Sequence, residues 1–263
     1  MAAPYFLGAG DRLQVTVWQE DDLTGIYTIS KDGYLTVNWM EPILVKDKTL
    51  DEAKVLVQKT VSEYVRKPVV TLSVADYQSK KITILGEVKI PGLVFLKNDQ
   101  TLIHVILKDA GGVTGQAGDT LSVVRAHTND KENFETVTVS LGKLLSGDPT
   151  QNITLRDGDT LLVPRYDSKG VGSATSDSVF VVGEVKNKGS FRIKEGYTVL
   201  NAVLDAGGFT KFASQNRVKV VRGQGETKKE FIVRMKDVME DGEKSKDLAV
   251  EPGDLIIVPR SII

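Results

Sequence analysis

At 263 residues and 41% apolar content, the chain is long enough for two or three domains with ordinary cores that need neither metal nor disulfide support. Its 34 basic and 35 acidic residues give a net charge of −1 without a basic stripe, which weighs against nucleic acid as a partner. Cysteine is absent, which excludes Fe–S clusters, thiol nucleophiles and Cys-based zinc sites, and no run approaches the ~18 apolar residues of a membrane-spanning helix.

The first predicted element follows the turn cluster Leu7-Gly8-Ala9-Gly10-Asp11. In RLQVTVW, apolar and polar residues alternate, which places Leu13, Val15 and Val17 on one face of a strand. Asp32-Gly33 is a hairpin signal expected to join strands at 26–29 and 34–37, because a tight turn there needs positive φ. A helix is predicted from Thr49, which forms a capping box with Glu52. Leu50, Ala53, Leu56, Val57, Val61 and Tyr64 make its apolar face, and Pro68 is expected to stop it. Val69 to Val74 then reads as a strand.

From residue 79 the chain repeats itself. ITILGEVKIPG at 82–92 returns as VFVVGEVKNKG at 179–189, and Asp109-Ala110-Gly111-Gly112 returns as Asp205-Ala206-Gly207-Gly208. Leu121 to Arg125 returns as Val218 to Arg222, and Gly158 to Arg165 returns as Gly253 to Arg260. Matches in one order mean two copies of one small domain, an arrangement that extends a binding surface or an assembly more often than it builds one catalytic pocket. Each copy reads as strand, Gly turn, short strand, helix (101–110; 198–206) with an αL glycine cap, then three further strands. One helix across a small mixed sheet is a β-grasp outline. The expected fold class is α+β, divided into an N-terminal lobe at 1–78, repeats at 79–166 and 178–263, and a flexible Gly/Ser-rich linker at 167–177.

Reactive chemistry finds little support in these residues. His104 and His127 are the only histidines, and position 104 aligns near Asn201, so a structural role is expected for both. Gly8-x-Gly10 lacks the third glycine of a dinucleotide loop and precedes a strand, and Gly142-Lys143 lacks the rest of a P-loop. No catalytic residue, cofactor or metal is expected. Two candidate contact sets remain. Glu87 and Lys89 recur as Glu184 and Lys186 beside a Gly turn. They read either as surface ion pairing worth under about 1 kcal/mol, or as contacts to a partner outside the subunit. Trp39 and Met40 lie beside a predicted turn, where they are either core or a partner-facing tip.

Together these motifs resemble a known family. Tyr5-Phe6-Leu7-Gly8-Ala9-Gly10-Asp11, with Val17-Trp18 ending the next strand, is similar to the opening of bacterial outer-membrane polysaccharide export proteins. The Asp32-Gly33 hairpin, the Thr49–Ala53 helix start and the Pro68–Val74 strand continue the likeness through that family's export domain. The two repeats resemble its soluble-ligand-binding β-grasp module, with G-x-V-x-x-P-G, A-G-G and G-D-x-I-x-V-P in order. Where the family has a P-x-x-G turn, this chain has Val37-Asn38-Trp39-Met40-Glu41-Pro42.

The resemblance implies a non-enzymatic subunit of a homo-oligomeric ring, octameric in the family, on the periplasmic side of the outer membrane. A polysaccharide would pass through the lumen, with Glu87, Lys89, Glu184 and Lys186 as contacts to a neighbouring subunit or to saccharide, and an inner-membrane polysaccharide co-polymerase would dock beneath. An export signal is then expected to have been removed ahead of MAAPYFLGAGD. Longer members continue past the last V-P into a C-terminal amphipathic helix, and the end at Ser261-Ile262-Ile263 fits either a shorter member or a truncated one. Two other readings stand beside it: a periplasmic saccharide-binding adaptor that forms no pore, and an enzyme acting on the polymer, for which the sequence offers no acid–base pair.

Overall fold

The alternating segment forms β1 (Arg12–Val17), with Leu13, Val15 and Val17 fully buried. A computed structural model describes residues 4–126, 134–165, 178–223, 229–240 and 242–261. The predicted linker at 167–177 and His127 lie outside the described residues. In the N-terminal lobe, β1 pairs antiparallel with β2 (Gly25–Thr28) on one side and β5 (Val70–Asp76) on the other. Two short strands, β3 (Tyr34–Leu35) and β4 (Ile43–Leu44), form a separate pair. Helix α1 (Leu50–Val61) lays Ala53, Val57 and Val61 on a core that also holds Leu7, Leu35 and Met40. Its capping box is in place: the Thr49 N–H donates to Glu52 Oε2 at 2.8 Å and the Glu52 N–H to Thr49 Oγ1 at 3.3 Å.

Two local expectations are corrected. Asp32-Gly33 does turn the chain, with Gly33 at φ +91°. However, β3 beyond it pairs with β4, while β2 is bound to β1. Asn38 explains why the expected 34–37 strand is cut short: it adopts φ +49° and its amide donates to the Asp22 carbonyl at 2.9 Å, bending the chain away. Likewise α1 ends at Val61, well before Pro68. Ser62 Oγ donates to the Gln58 carbonyl at 2.7 Å and occupies an acceptor at the helix end.

Both repeats fold the same way. The first contributes β6 (Lys81–Gly86), β7 (Gly92–Phe95), α2 (Ile103–Asp109), β8 (Thr120–Ala126), β9 (Phe134–Ser140), α3 (Leu141–Leu145) and β10 (Thr160–Val163). The second contributes β11 (Ser178–Gly183), β12 (Gly189–Arg192), α4 (Val199–Asp205), β13 (Val218–Arg222), β14 (Lys229–Val233), α5 (Met235–Glu240) and β15 (Leu255–Val258). Strand orders are β7-β6-β10-β8-β9 and β12-β11-β15-β13-β14, so in each copy the last strand inserts beside the first. That central pair is parallel, with Leu161 opposite Ile84 and Ile256 opposite Val181. The fold is α+β, as the pattern implied; the short helices α3 and α5 were not foreseen.

The close approach of first and last strands explains one repeated glycine. Gly86 and Gly183 both sit at φ +90°. A Cβ there would lie 1.9 Å from the Val163 carbonyl oxygen or 2.0 Å from that of Val258. Each closing strand is also pinned by an ion pair. Arg125 reaches Asp159 through Nε at 2.9 Å and Nη2 at 2.6 Å, and Arg222 reaches Asp254 at 2.9 and 2.7 Å. Both aspartates are buried, which makes bidentate pairing with a rigid guanidinium the arrangement that offsets their desolvation.

The chain separates into two compact units. One gathers the lobe up to Ile82 with Leu93–Leu102 and Thr154–Asp157, and the other holds the remaining described residues. Within the second unit, the sheets of the two repeats meet back to back. Leu85, Val124 and Leu162 of the first sheet pack with Phe180, Val182, Val221, Leu255 and Ile257 of the second. The opposite face of the second sheet buries Val179, Val181, Val220 and Ile256 with Val199, Ala202 and Val203 of α4. Two-sided burial is why VFVV, LIIV and the LLV of β10 are unbroken apolar runs. Truncating Phe180 to Ala is therefore expected to cost about 3–5 kcal/mol. In urea denaturation the described repeats should lose structure in one transition; two separated transitions would show that the shared core does not couple them.

Candidate functional site

The structure separates the two residues expected to act together in the N-terminal lobe. Met40 is 3% exposed and belongs to the core, so its reading as part of a partner-facing tip is corrected. The chain bend at Asn38 turns Met40 inward, where its N–H donates to the Val37 carbonyl at 3.0 Å. Trp39 is 63% exposed. Its ring meets Tyr64 edge-on, with centroids 5.0 Å apart and planes at 85°. Tyr64, expected on the buried helix face, falls after α1 has ended and is 46% exposed. A second exposed apolar pair lies at the end of β1, where the Trp18 N–H donates to the Val69 carbonyl at 3.0 Å. These four residues are among the large apolar groups that the lobe exposes to a partner.

The repeated acidic residues are held internally. Thr114 Oγ1 donates to Glu87 Oε2 and Thr210 Oγ1 to Glu184 Oε2, both at 2.5 Å. Around each carboxylate the backbone closes as well: Val88 bridges Val113 and Val185 bridges Phe209. The Lys89 N–H donates to the Gly112 carbonyl at 3.0 Å and the Lys186 N–H to the Gly208 carbonyl at 3.1 Å. The G-E-V motif therefore ties the end of each first strand to the loop after its helix, and a hydroxyl rather than a neighbouring lysine engages each Glu. Lys89 and Lys186 stay exposed beside it.

The opening motif is explained by Asp11, which sequence reading passed over because a lone Asp in a turn cluster looks solvated. It is fully buried. Its carboxylate accepts from the Tyr5 hydroxyl at 2.8 Å, the Gly8 N–H at 2.9 Å, the Gln78 and Ser79 N–H groups at 2.8 Å each, and Ser79 Oγ at 2.9 Å. One side chain thus fastens the opening turn to the chain as it leaves β5. Lys80 adds to the same knot by pairing with Asp99 while lying 4.8 Å from the Tyr5 ring centroid. His104 is exposed, with Nδ1 2.7 Å from the Asn152 amide nitrogen. Among the described residues, no cluster of three or more His, Asp or Glu could hold a metal ion. No described helix is long and apolar enough to cross a membrane.

Comparison with known proteins now bears on this arrangement. The family model for polysaccharide biosynthesis/export proteins matches residues 1–75, and models of the SLBB domain match residues 80–163 and 178–230. Residues 1–75 thus form a domain of the polysaccharide biosynthesis/export family, and two SLBB domains follow it in the chain. It is 29% identical over 252 residues to the EPS I polysaccharide export outer membrane protein EpsA of Ralstonia nicotianae (strain ATCC BAA-1114 / GMI1000). That match covers 86% of this chain and 62% of the relative. The protein of the same name from Ralstonia solanacearum is also 29% identical over 252 residues, covering 86% of this chain and 63% of the relative. The chain therefore spans less than two thirds of these relatives' length.

Two of these features can be measured. Met40→Ala should cost about 2–5 kcal/mol in chemical denaturation, whereas Trp39→Ala should stay within about 1 kcal/mol of wild type; equal losses would place Trp39 in the core. The second concerns alkaline pH. Burial, then donation to Asp11, raises the Tyr5 phenol above its ordinary value, and burial with donation to Asp205 does the same for Tyr197. Their contribution is complete below about pH 10 and is lost as pH rises beyond it, because the unfolded phenols ionise first. Replacing both with Phe should flatten the alkaline fall in melting temperature.

Proposed function

We propose that this chain is a non-enzymatic subunit of an apparatus that exports a capsular or exopolysaccharide from a Gram-negative cell. The observation that carries the reading is order: an export domain, then two sister β-grasp domains, in one continuous match to both Ralstonia export proteins. On this reading the protein sits at the periplasmic side of the outer membrane as a homo-oligomeric ring, an octamer by family resemblance. The polymer passes along the lumen, and an inner-membrane polysaccharide co-polymerase docks beneath. The working division of the chain is an export domain at 1–78 and β-grasp domains at 79–166 and 178–263, joined through 167–177.

Mechanism follows from geometry rather than bond chemistry. A hydrated glycan needs a wide polar passage and surfaces that hold subunits in register. Exposed Trp39 and Tyr64, with Trp18 and Val69, offer the lobe apolar contact area, and the exposed Lys89 and Lys186 lie at equivalent places on the two repeats. A ring built from many weak interfaces depends on local concentration, so membrane attachment favours assembly by mass action. Light scattering on the full-length protein extracted from its own membrane should give a mass that is a large multiple of one subunit. In a strain lacking the gene, polymer should be made but not reach the medium. A monomer in the extract would sink the ring, and unimpaired export in the deletion strain would sink the export role.

A further inference from the structure

The sister repeats give each other a control: whatever the fold needs appears in both, and what appears in one has another reason. The loop after each helix is tied down identically. Ala117 bridges Arg165 and Ala213 bridges Arg260. The Gly118 N–H donates to the Pro164 carbonyl at 2.7 Å, and the Ser214 N–H to the Pro259 carbonyl at 2.8 Å. Between Thr114 and Ala117 the first repeat has Gly115-Gln116, whereas between Thr210 and Ala213 the second has Lys211-Phe212. The loop therefore closes without an aromatic ring or a second cation.

In the second repeat that difference gathers two cations around one ring. The Arg260 guanidinium carbon lies 4.4 Å from the Phe212 ring centroid and the Lys211 ammonium 4.9 Å from it. Phe212 is 36% exposed, Lys211 is exposed, and Arg260 is partly buried. Glu184, at the end of β11, accepts from Thr210 in the same loop. A guanidinium lying against an aromatic ring keeps its N–H edge free in a fixed plane, the geometry suited to a carboxylate, and losing little side-chain freedom on binding favours the contact further. Two like charges beside one ring are relieved when an anion joins them.

We propose that Lys211, Phe212 and Arg260 form a recognition site for the carboxylate of an acidic sugar, so that the exported polymer contains uronate-type residues. The assignment rests on the export reading above. Arg260 takes the carboxylate along its free edge, Lys211 supplies a second, movable charge, and Phe212 sets the plane of Arg260. Contact is weak and exchangeable, as passage of a long polymer requires.

Titration of the full chain with oligogalacturonate, followed by chemical-shift change or calorimetry, tests it, with a neutral oligosaccharide of equal length alongside. Affinity for the acid should fall at least tenfold in Arg260→Ala and severalfold in Phe212→Leu, weaken with added salt, and stay unchanged in Arg165→Ala. Unchanged melting temperatures keep those losses from being read as unfolding. Equal binding of the neutral oligomer, or full affinity in Arg260→Ala, overturns the site. So does self-association that depends on Arg260 without oligogalacturonate binding, since an acidic side chain of another copy would then be the ligand. Complementation of the deletion strain separates the two readings. If wild type restores no export, the export role fails; if wild type and Arg260→Ala export equal amounts of acidic polymer, only this site fails.

Discussion

Insertion of the closing strand between the first and third strands is the constraint on which each repeat depends. β10 and β15 pair parallel with the opening strand on one side and antiparallel on the other, so neither has a free edge. The neighbouring features serve that insertion. Gly86 and Gly183 have no side chain because the partner carbonyl occupies the space one would take. Asp159 and Asp254 enter the interior because Arg125 and Arg222 each meet them through two guanidinium nitrogens, Nε and Nη2. The G-E-V clamp then holds the helix loop against the end of the opening strand.

Burial on both faces changes what the duplication means. Copies connected only by a linker would each present one solvated sheet face. Here the faces turned away from the helices pack together through Phe180, Val182, Leu255 and Ile257 against Leu85, Val124 and Leu162. The two sheets share one apolar core and so form a single packed body. Such a body leaves loops free to diverge, as the Lys211-Phe212 loop has done, because the shared core does not involve them.

The N-terminal lobe solves a different problem. Its opening turn has little apolar surface of its own, and Asp11 replaces packing with five donors drawn from Tyr5, Gly8, Gln78 and Ser79. A buried carboxylate with all its bonds made sets position sharply, since any shift of the chain leaves a charge unsatisfied. This gives the opening Tyr5-Phe6-Leu7-Gly8-Ala9-Gly10-Asp11 a physical reason: Tyr5 and Asp11 are partners, and a Cβ on Gly8 would lie 2.5 Å from that of Ser79.

Local sequence determined a good deal: the alternation of β1, the Thr49–Glu52 capping box, the tandem copies and their α+β class are short-range patterns readable without partners. The apolar runs of β10, β11 and β15 also announced two-sided burial, though they name no covering face. What only tertiary structure decided are the partnerships across distance. Asp32-Gly33 specifies a turn, but which strand pairs beyond it depended on Asn38 meeting Asp22, and the same bend sent Met40 inward and Trp39 outward. Glu87 and Glu184 looked like surface charges until the loop after each helix brought a threonine hydroxyl to them. Arg260 and Phe212 lie far apart in the chain, and their meeting came from the closing strand's return to the loop. Period and propensity act over a few residues, whereas these contacts depend on where the backbone returns.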